Sequence, residues 1–569
     1  MKKLINAANT VVEEMLEGVV LANHELALLE GENVVVRQDY EALKAANKVA
    51  IISGGGAGHE PAHAGYVGSG MLTAAVAGPV FTSPSVDAVL SAIMTVAGPA
   101  GVLLIIKSYT GDRLNFGLAA EIARTQGVKV EVVVVGDDVA LEDAGRAVGR
   151  RGIAGTVFVH KVAGAAAKAG LSLAEVKREA EQAAADLFSM GLGLSSCTVP
   201  AAGKQGFELG ADEVEYGLGI HGESGVRRET LQSADVMVQA LLDRIFEQGR
   251  LVAGERVALM VNNLGGTAAQ ELDIVTRRAL LSCSTHGLQV EAVMTGTFLT
   301  ALEMAGCSLS LLRCDDVRLQ RLLSPTSATA WRGMTTPSQG LTRKASITTA
   351  TERTAQGAAW SAEQAARFKG VISAITRALR EQEQKLTELD SVVGDGDIGI
   401  SLARGSRAIE EALSSFDFQR PGLALQQISA ILRRVLGGTS GPLYAVFVLR
   451  AGVSLANASN PAQVASWAAA FRAGCDGIVH LGGAGVGDRT MLDALLPAAD
   501  ALEAGVDKSA FEAAKATHAA AAQGAEATKD MLPLKGRSSY IGQRALGHVD
   551  PGAYAVTIWT QAIVEALSA

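Results

Sequence analysis

Six segments in the first half of the chain are apolar throughout rather than alternating. They read KVAIIS, GVLLIIKSY, VEVVVVG, GTVFVHK, RVALMVNN and LQVEAVMTG. Strands that helices cover on both faces have this pattern, whereas strands with one face in water alternate. Alanine- and leucine-rich stretches of helical length separate these segments. The pattern therefore predicts an α/β fold with a largely parallel sheet.

One stretch, AVLSAIMTVAGPAGVLLIIK at residues 88–107, is apolar enough to raise the question of a membrane span. It contains Pro99 and two glycines, which interrupt a helix. We interpret it as a buried helix, a turn and a core strand. The N-terminus carries Glu13 and Glu14 where a signal peptide needs its apolar core, so no secretion signal is expected.

The character of the chain changes in SPTSATAWRGMTTPSQGLTRKASITTATERT, which begins at Ser324. This segment is rich in Ser and Thr and has no apolar period, so we interpret it as an interdomain linker. Beyond it, alanine-rich stretches such as FEAAKATHAAAAQGAEATKDML predict helices only. The predicted organisation is an α/β domain at 1–330, a linker at 331–356 and an all-α domain at 357–569.

Charge and cysteine content narrow the function classes. The 50 basic and 59 acidic residues give a net charge of −9. Nucleic acid and anionic membranes are therefore not expected as partners, because binding them needs a basic face. The five cysteines form no CxxC pair, which disfavours a disulfide framework or a zinc site and fits a reducing cytoplasm.

Polar residues of the first domain collect where the predicted strands end. KVAIIS leads into GGGAGHEPAHAG with His59, and GVLLIIKSY leads into TGDRLNFG with Lys107 and Asp112. Ligands of open α/β sheets lie at these strand ends. A dinucleotide-binding pattern fails because His59 occupies its last glycine position, and the chain has no Walker A sequence. We therefore expect the backbone N–H groups of residues 56–59 to bind a small polar ligand.

Other polar residues of this domain have simpler interpretations. Asp137 and Asp138 follow VEVVVVG, and we expect them to cap the next helix. His63 and His160 are expected to be buried structural histidines with hydrogen-bond partners.

His221 lies in YGLGIHGESG, residues 216–225, flanked by glycines and followed by Glu223. An imidazole with so little bulk beside it is accessible to other molecules. The local sequence leaves a turn residue, a metal ligand, and a base or nucleophile as alternatives.

In the helical domain, LDSVVGDGDIGISLARG places Asp390, Asp395 and Asp397 within one glycine-containing loop. Oxygen ligands of this kind suit Mg²⁺, which proteins usually share with substrate phosphates. A calcium loop of the EF-hand type would need a glutamate at its twelfth position, where Ser401 stands. A solvated acidic turn is the alternative to a magnesium site.

Three further loops of the helical domain have the composition of phosphate sites. LGGTSGP (436–442) offers consecutive backbone donors and two hydroxyls. LGGAGVGDRTM (481–491) and GRSSYIGQRALGHVDPG (536–552) add glycines and the guanidinium groups of Arg489 and Arg537. A carboxylate cluster, an anion nest and a guanidinium together indicate phosphoryl transfer.

These segments, taken in order, resemble the dihydroxyacetone (glycerone) kinases in their fused, ATP-dependent form. The resemblance covers nearly the whole chain and rests on SGGGAGHEPAHAGYVGSGMLTAAVAGPVFTSPS, KSYTGDRLNFG, GIHGE, GDGDIG, GGTSGPLY, GDRTMLDAL and GHVDPGA. It implies a sugar-binding α/β domain of two subdomains before the linker. It also implies an eight-helix barrel that binds ATP after the linker.

The resemblance also implies roles for individual residues. His221 would bond covalently to the substrate carbonyl carbon as a hemiaminal, with Gly219 and Gly222 keeping bulk away from the ring. Asp112 would take the proton from the substrate hydroxyl, and His59 would assist. The remaining implied substrate-binding residues are Gly56, Ala57, Gly58 and Lys107. The implied Mg²⁺ ligands are Asp390, Asp395 and Asp397, and the implied ATP-binding residues are Gly399, Ile400, Ser401, Leu402, Thr439, Ser440, Gly482, Met491, Arg537, Asp550, Pro551 and Gly552.

The implied activity is phosphorylation of dihydroxyacetone by ATP in a cytoplasmic homodimer. Kinases of L- or D-erythrulose share every quoted motif, and glyceraldehyde is a further alternative substrate. A non-catalytic ketose-binding regulator is disfavoured because His59, Asp112, His221 and the aspartate trio are all intact. A phosphoenolpyruvate-dependent form is disfavoured because both domains are fused and the chain has no phosphocarrier domain.

Overall fold

The computed structural model describes residues 2–141, 149–203, 206–338 and 357–568, and the side chain of Arg537 falls outside that description. The chain forms two compact units, residues 1–345 and 346–569. Residues 339–356 of the predicted linker lie outside the described residues. Its first residues pack on the first unit: the buried Trp331 contacts Phe158, and Thr335 exchanges backbone hydrogen bonds with Val293.

The first unit contains two six-stranded sheets. The first sheet has the order β1-β2-β4-β3-β5-β6. Its last four strands are parallel, and β2 pairs antiparallel with both β1 and β4. These strands are β1 (Leu26–Leu28), β2 (Val34–Arg37), β3 (Ala50–Ala57), β4 (Ala74–Val80), β5 (Val102–Lys107) and β6 (Val130–Val135). The helices that alternate with or follow them are α1 (Val11–Leu21), α2 (Tyr40–Ala45), α3 (Val86–Val96), α4 (Thr110–Thr125), α5 (Thr156–Ala169) and α6 (Leu173–Ala185).

The second sheet has the order β11-β10-β12-β7-β8-β9 and differs from the predicted parallel arrangement. Only β10 and β11 are parallel among its described pairs. The elements are β7 (Leu187–Gly193), β8 (Glu213–Tyr216), β9 (Arg227–Thr230), α7 (Ala234–Gly249), β10 (Arg256–Asn263), α8 (Ala269–Thr285), β11 (Gln289–Gly296), β12 (Gly306–Arg313) and α9 (Asp316–Leu323). The buried glycines and serines of β7 and β12 hide these antiparallel strands from an apolar-run search.

Five of the six predicted strands are confirmed, and the prediction for GTVFVHK is wrong. This segment begins α5, which continues through the alanine-rich VAGAAAKA and is buried on nearly its whole surface. A short apolar run has no period that separates a core strand from a fully buried helix. Side chains of α5 belong to the apolar core that the two sheets share, where Phe158 and Val162 pack with Leu103 of β5 and Met260 of β10.

The second unit is all-α and confirms the predicted class. Its helices are α10 (Ala362–Glu381), α11 (Glu383–Val393), α12 (Ile398–Glu411), α13 (Pro421–Val435), α14 (Ser440–Ala456), α15 (Val464–Gly482), α16 (Leu492–Glu503), α17 (Ala510–Ala527) and α18 (Pro551–Ser568). Only Gln382 separates α10 from α11, so the chain makes eight helical passes. Successive passes contact one another, and α18 returns to contact α10. The helices therefore close into a ring around an apolar cavity of about 490 Å³.

The order of the helices places the predicted ATP-binding loops at one end of this ring. Successive passes alternate in direction, so every second connection lies at the same end. The connections at residues 394–397, 436–439, 483–491 and 528–550 form this set. Each of them leads into the N-terminus of a helix, where free backbone N–H groups and the helix dipole favour anions.

All five cysteines are buried and free of disulfides. Among the described helices, none combines the length and the apolar character that crossing a membrane requires.

Candidate active site

His59 connects the two sheets of the first unit. It follows β3, and its Nδ1 lies 2.8 Å from the carbonyl oxygen of Thr300, which follows β11. A carbonyl only accepts, so Nδ1 carries the proton and donates it, leaving the lone pair on Nε2. Burial and the charges of Lys107 and His221 keep the pKa of His59 well below its usual value. His59 is therefore a neutral imidazole whose buried Nε2 has no partner among the described residues.

Lys107 and Asp112 approach each other beside the glycine run of β3. A Cβ at Gly55 would lie 3.0 Å from Lys107 Nζ and 3.4 Å from Asp112 Oδ2, and Gly55 has a φ of +154°. Lys107 is completely buried, and burial lowers its pKa although Asp112 and Glu60 oppose the shift. Within the described part of the chain its Nζ has no hydrogen-bond partner. A desolvated ammonium beside a carboxylate is suited to hold a polar ligand.

Three aromatic rings surround His221, whose side chain is 20% exposed. The rings of His59, Phe81 and Tyr109 lie 4.9, 5.4 and 4.5 Å from its centroid, all roughly perpendicular to it. The ring of His59 also stacks on Phe81 at 5.2 Å. The structure thus brings His221 and His59 together, although 162 positions separate them in the sequence.

The glycines beside His221 have a different reason from the expected one. A Cβ at Gly219 would overlap the carboxyl group of Glu223, and Gly222 turns the chain with a φ of +76°. They accommodate the loop itself and the Glu223 side chain rather than an approaching molecule. Of the 56–59 backbone, the Gly58 N–H donates to the Glu60 carboxylate at 3.1 Å, so this one group is already occupied.

The strand-end aspartates of β6 organise loops, in keeping with their expected capping role. Asp137 accepts the N–H groups of Ile153 and of Gly155, the residue that precedes α5. Burial raises the pKa of Asp137 to about 6. Asp138 instead pairs with Arg151.

The pair of buried histidines, His63 and His160, is only partly satisfied. His63 Nδ1 lies 3.0 Å from His160 Nε2, while the second nitrogen of each ring has no partner among the described residues. Burial and the charge of Lys107 lower the pKa of His63 and bring that of His160 to about 3.

Three residues that the sequence reasoning did not single out also belong to this site. Ser83 donates its hydroxyl hydrogen to Asp112 Oδ1 and so orients the carboxylate. Phe81 has a φ of +59°, a rare conformation for a residue with a side chain, which turns its ring against both histidines. Tyr109 stands between Lys107 and Asp112 in the sequence. The quoted motifs contained all three residues, but no sequence spacing indicates ring contacts.

In the helical unit, the three aspartates form one cluster. Carboxylate oxygens of Asp390, Asp395 and Asp397 lie within 4.8 Å of one another, which fits ligands of one cation. Asp390 Oδ2 accepts the N–H groups of Asp397 and Ile398, which fixes the loop against the start of α12. Burial raises the pKa of Asp390, and the neighbouring aspartate charges raise it further. A bound cation would relieve this crowding of negative charge.

The other predicted ATP-binding residues lie around this cluster or serve the helix starts. Gly438 lies in the loop before Thr439 and Ser440, and a Cβ at this position would lie 3.7 Å from Asp397 Oδ2. Of residues 399–402, Ile400 is half-exposed and the other three are buried, and Leu402 lines the apolar cavity. Gly482 ends α15.

The last of these residues meet where α16 and α18 begin. A Cβ at Gly552 would lie 3.4 Å from Met491 Cβ. Asp550 accepts the N–H of Ala553, so it caps α18, which starts at Pro551; burial raises the pKa of Asp550 to about 6. The side chain of Arg537 lies outside the described residues.

Arg489 corrects the expectation of a phosphate-binding guanidinium. It is completely buried and donates to the carbonyl oxygens of Thr528, Ala545 and His548 at 2.9–3.2 Å. The guanidinium ties the 483–491 loop to the 528–550 segment. Its Nε and Nη2 thus fix the shape of the loops, while its buried Nη1 has no partner among the described residues.

Comparison with known proteins gives matches along the whole chain. A Dak1 domain matches residues 17–330, and a DAK2 domain matches residues 392–565. Triokinase/FMN cyclase of Homo sapiens is 42% identical, with 100% of this chain and 99% of the relative covered. Dihydroxyacetone kinase of Citrobacter freundii is 39% identical, with 98% of each chain covered.

A solved structure agrees with these matches. The crystal structure of the C. freundii dihydroxyacetone kinase in complex with AMP-PNP and Mg²⁺ matches with a TM-score of 0.66 and 38% identity, covering 99% of each chain. The clustered histidines, the aspartate trio and the end-to-end similarity point to one conclusion. The chain belongs to the dihydroxyacetone kinase family.

Proposed function

We propose that this protein transfers the γ-phosphoryl group of ATP to a hydroxyl group of dihydroxyacetone. The observation that carries the proposal is the proximity of His221 to His59, and of Lys107 to Asp112, beside the end of β3 in the α/β unit. The aspartate trio lies at the end of the helical ring where α12, α14, α16 and α18 begin, and this supports a separate site for the nucleotide. The similarity to an enzyme that binds AMP-PNP and Mg²⁺ supports the same assignment.

Different residues of the α/β unit bind the sugar and accept its proton. His221 captures the ketone through a ring nitrogen, which holds the substrate in one orientation. The His59 Nε2 lone pair accepts a hydrogen bond from a substrate hydroxyl, and Lys107 offers its buried N–H donors. Asp112, oriented by Ser83, takes the proton of the attacking hydroxyl. The new oxygen–phosphorus bond forms as the bond from the γ-phosphorus to the bridging oxygen breaks and ADP leaves.

The residues of the helical unit hold the nucleotide. Asp390, Asp395 and Asp397 would hold Mg²⁺, which neutralises phosphate charge and orients the phosphates of ATP. The backbone N–H groups at the starts of α12 and α14, with Thr439 and Ser440, are placed to bind phosphate oxygens.

The alternatives differ in substrate rather than in chemistry. Triokinase, the name of the human relative, denotes a kinase of trioses, which favours glyceraldehyde as a second acceptor. The four-carbon erythruloses are rival substrates because the kinases that use them share every motif on which the family resemblance rests. The family resemblance further leads us to propose a homodimer, which sedimentation of the purified protein tests.

The deciding experiment is a coupled assay of ADP release with Mg²⁺ and ATP. The acceptors are dihydroxyacetone, L- and D-erythrulose, glyceraldehyde and glycerol. We expect the highest kcat/KM with dihydroxyacetone and none with glycerol, which has no carbonyl to capture. A higher kcat/KM with either erythrulose would overturn the assigned substrate. If none of the carbonyl compounds supports ADP release, the kinase assignment is overturned.

A further inference from the structure

The carboxylate of Glu223 lies beside the His221 ring, on its Nδ1 side. Its Oε2 accepts the backbone N–H of His221 at 2.7 Å, and its Oε1 lies 3.8 Å from His221 Nδ1. The carboxyl group also fills the space that a side chain at Gly219 would occupy. The loop therefore holds a negative charge on the Nδ1 side of the imidazole.

A buried guanidinium connects this carboxylate to the first sheet. Arg151 Nη1 lies 3.9 Å from Glu223 Oε1, and Arg151 Nη2 donates to the carbonyl oxygen of Gly217 at 2.8 Å. Arg151 Nε and Nη2 lie 2.8 and 2.6 Å from Oδ2 of Asp138, which is buried just beyond β6. Asp138 is fixed in turn by the N–H of Ala140. Charges of alternating sign thus run from the protein interior to the His221 ring.

The electrostatics of Glu223 favour a permanent charge. Burial works to raise its pKa, but the nearby imidazole of His221 and the charge of Arg151 lower it to about 2. The carboxyl group is therefore ionised at neutral pH. It acts on the imidazole as an orienting acceptor and a fixed counter-charge, not as a group that takes the proton away.

We propose that Glu223, anchored through Arg151 to Asp138, is the positioning residue that prepares His221 to capture a ketone. The carboxylate turns Nδ1–H toward itself, which leaves the lone pair on Nε2, and it compensates the positive charge that the captured state carries. The proposal rests on the proposed covalent capture and adds the group that controls its strength.

The charge balance of capture shows why the carboxylate matters. The Nε2 lone pair forms the bond to the carbonyl carbon, and the π pair of the carbonyl moves to its oxygen, which takes up a proton from solvent. Nδ1 keeps its own proton, so the ring gains one positive charge. Of the groups around this ring, His59 is neutral, and Phe81 and Tyr109 carry no counter-charge; burial keeps the pKa of Tyr109 well above its usual value. Glu223 alone among these neighbours offsets the new charge.

The test measures capture without ATP, using dihydroxyacetone labelled with ¹³C at the carbonyl carbon. NMR should show a protein-bound signal of a tetrahedral carbon in the wild type that is absent from His221→Ala. Glu223→Gln keeps an oxygen that accepts the backbone N–H of His221 but loses the negative charge beside the ring. We expect it to need at least tenfold more ketose for half-saturation, and Glu223→Asp to lose less. The matched control is Glu229→Gln, on the exposed strand β9, which should titrate as the wild type does.

The outcomes separate this inference from the function on which it rests. Absence of the bound signal in the wild type would overturn covalent capture itself. A wild-type signal with unchanged half-saturation in Glu223→Gln would overturn the role of Glu223 and leave capture standing. If circular dichroism shows that Glu223→Gln does not fold, Arg151→Gln decides: weaker capture supports the charge chain, and unchanged capture overturns it.

Discussion

The imidazole of His59 and the carbonyl oxygen of Thr300, 2.8 Å apart, join the two sheets of the α/β unit and fix the tautomer of the ring. This contact leaves Nε2 as an acceptor, in a ring whose centroid lies 4.9 Å from that of His221. One hydrogen bond therefore both joins the two sheets and sets which nitrogen of His59 can accept a hydrogen bond.

His59→Asn should retain a donor for Thr300 but have no nitrogen at the position of Nε2. We expect kcat/KM for dihydroxyacetone to fall roughly 10²–10⁴-fold, the usual contribution of a group that assists proton transfer. Steady-state kinetics at saturating ATP measures the loss. The exposed His24→Asn serves as the control and should keep wild-type rates. Wild-type kcat/KM in His59→Asn would show that the ring only joins the sheets.

Asp395→Asn should abolish turnover with Mg²⁺ and ATP while leaving ketose capture intact, because the carboxylates serve the nucleotide alone. The coupled ADP assay and the capture signal are measured on the same preparation. Asp507→Asn, in a loop at the opposite end of the helical ring, is the matched control. Turnover near the wild-type rate in Asp395→Asn would mean that the trio is a solvated acidic turn.

The aspartate trio and the strand ends show what the sequence can predict. Asp390, Asp395 and Asp397 are close in sequence, so their meeting in space needs only a short loop. Lys107 is the last residue of β5 and Asp112 lies in the first turn of α4, so both must lie at the same edge of the sheet. Both predictions rest on local geometry, and in the structure the side chains of each set lie close together.

What the sequence could not predict depends on packing. GTVFVHK forms a helix because neighbours on all sides bury it, and no period in seven residues reveals that. Arg489 stands in a loop with the composition of a phosphate site, yet its Nε and Nη2 donate to three carbonyl oxygens of the 528–550 segment. Phe81 and Glu223 gain their roles only from the loops that fold against His221.

The α/β unit should fold alone, and its stability should depend on residues beyond 330. A fragment of residues 1–338 keeps Trp331 and the pairing of Thr335 with Val293, whereas a fragment of 1–330 loses both. Removal of a buried tryptophan costs roughly 3–5 kcal/mol, so urea midpoints should separate the two fragments clearly. Equal midpoints would show that residues 331–338 only rest on the surface. Residues 357–569 should fold separately.

The buried His63–His160 pair should make the α/β unit sensitive to acid. The pKa of His160 is about 3 in the folded state against an ordinary value of 6.5, so the unfolded chain binds the proton first as pH falls. The contribution of His160 to the free energy of unfolding is thus fully present above about pH 6.5. It is lost between pH 6.5 and 3, at about 1.4 kcal/mol per pH unit. Urea unfolding of the 1–338 fragment between pH 7.5 and 4.5 measures this slope.

His160→Gln should lower the pH dependence of the free energy of unfolding by about 1.4 kcal/mol per pH unit, the contribution of one proton, since glutamine cannot titrate. The free energy of unfolding of His160→Gln at pH 7.5 gives the baseline, because at that pH it reports only the change in packing. An unchanged slope in His160→Gln would assign the acid sensitivity to other groups.

Covalent capture by His221 is the central claim, and intact-protein mass spectrometry with dihydroxyacetone and no ATP tests it most directly. The wild type should gain the mass of one triose, and His221→Ala should not. Asp112→Asn should gain the mass yet fail to release ADP in the coupled assay, since capture does not need the base that acts on the hydroxyl. Full adduct formation in His221→Ala would move the nucleophile elsewhere, with His59 as the next candidate. Normal turnover with no adduct in any variant would contradict the account, because His221 would then only hydrogen-bond its substrate.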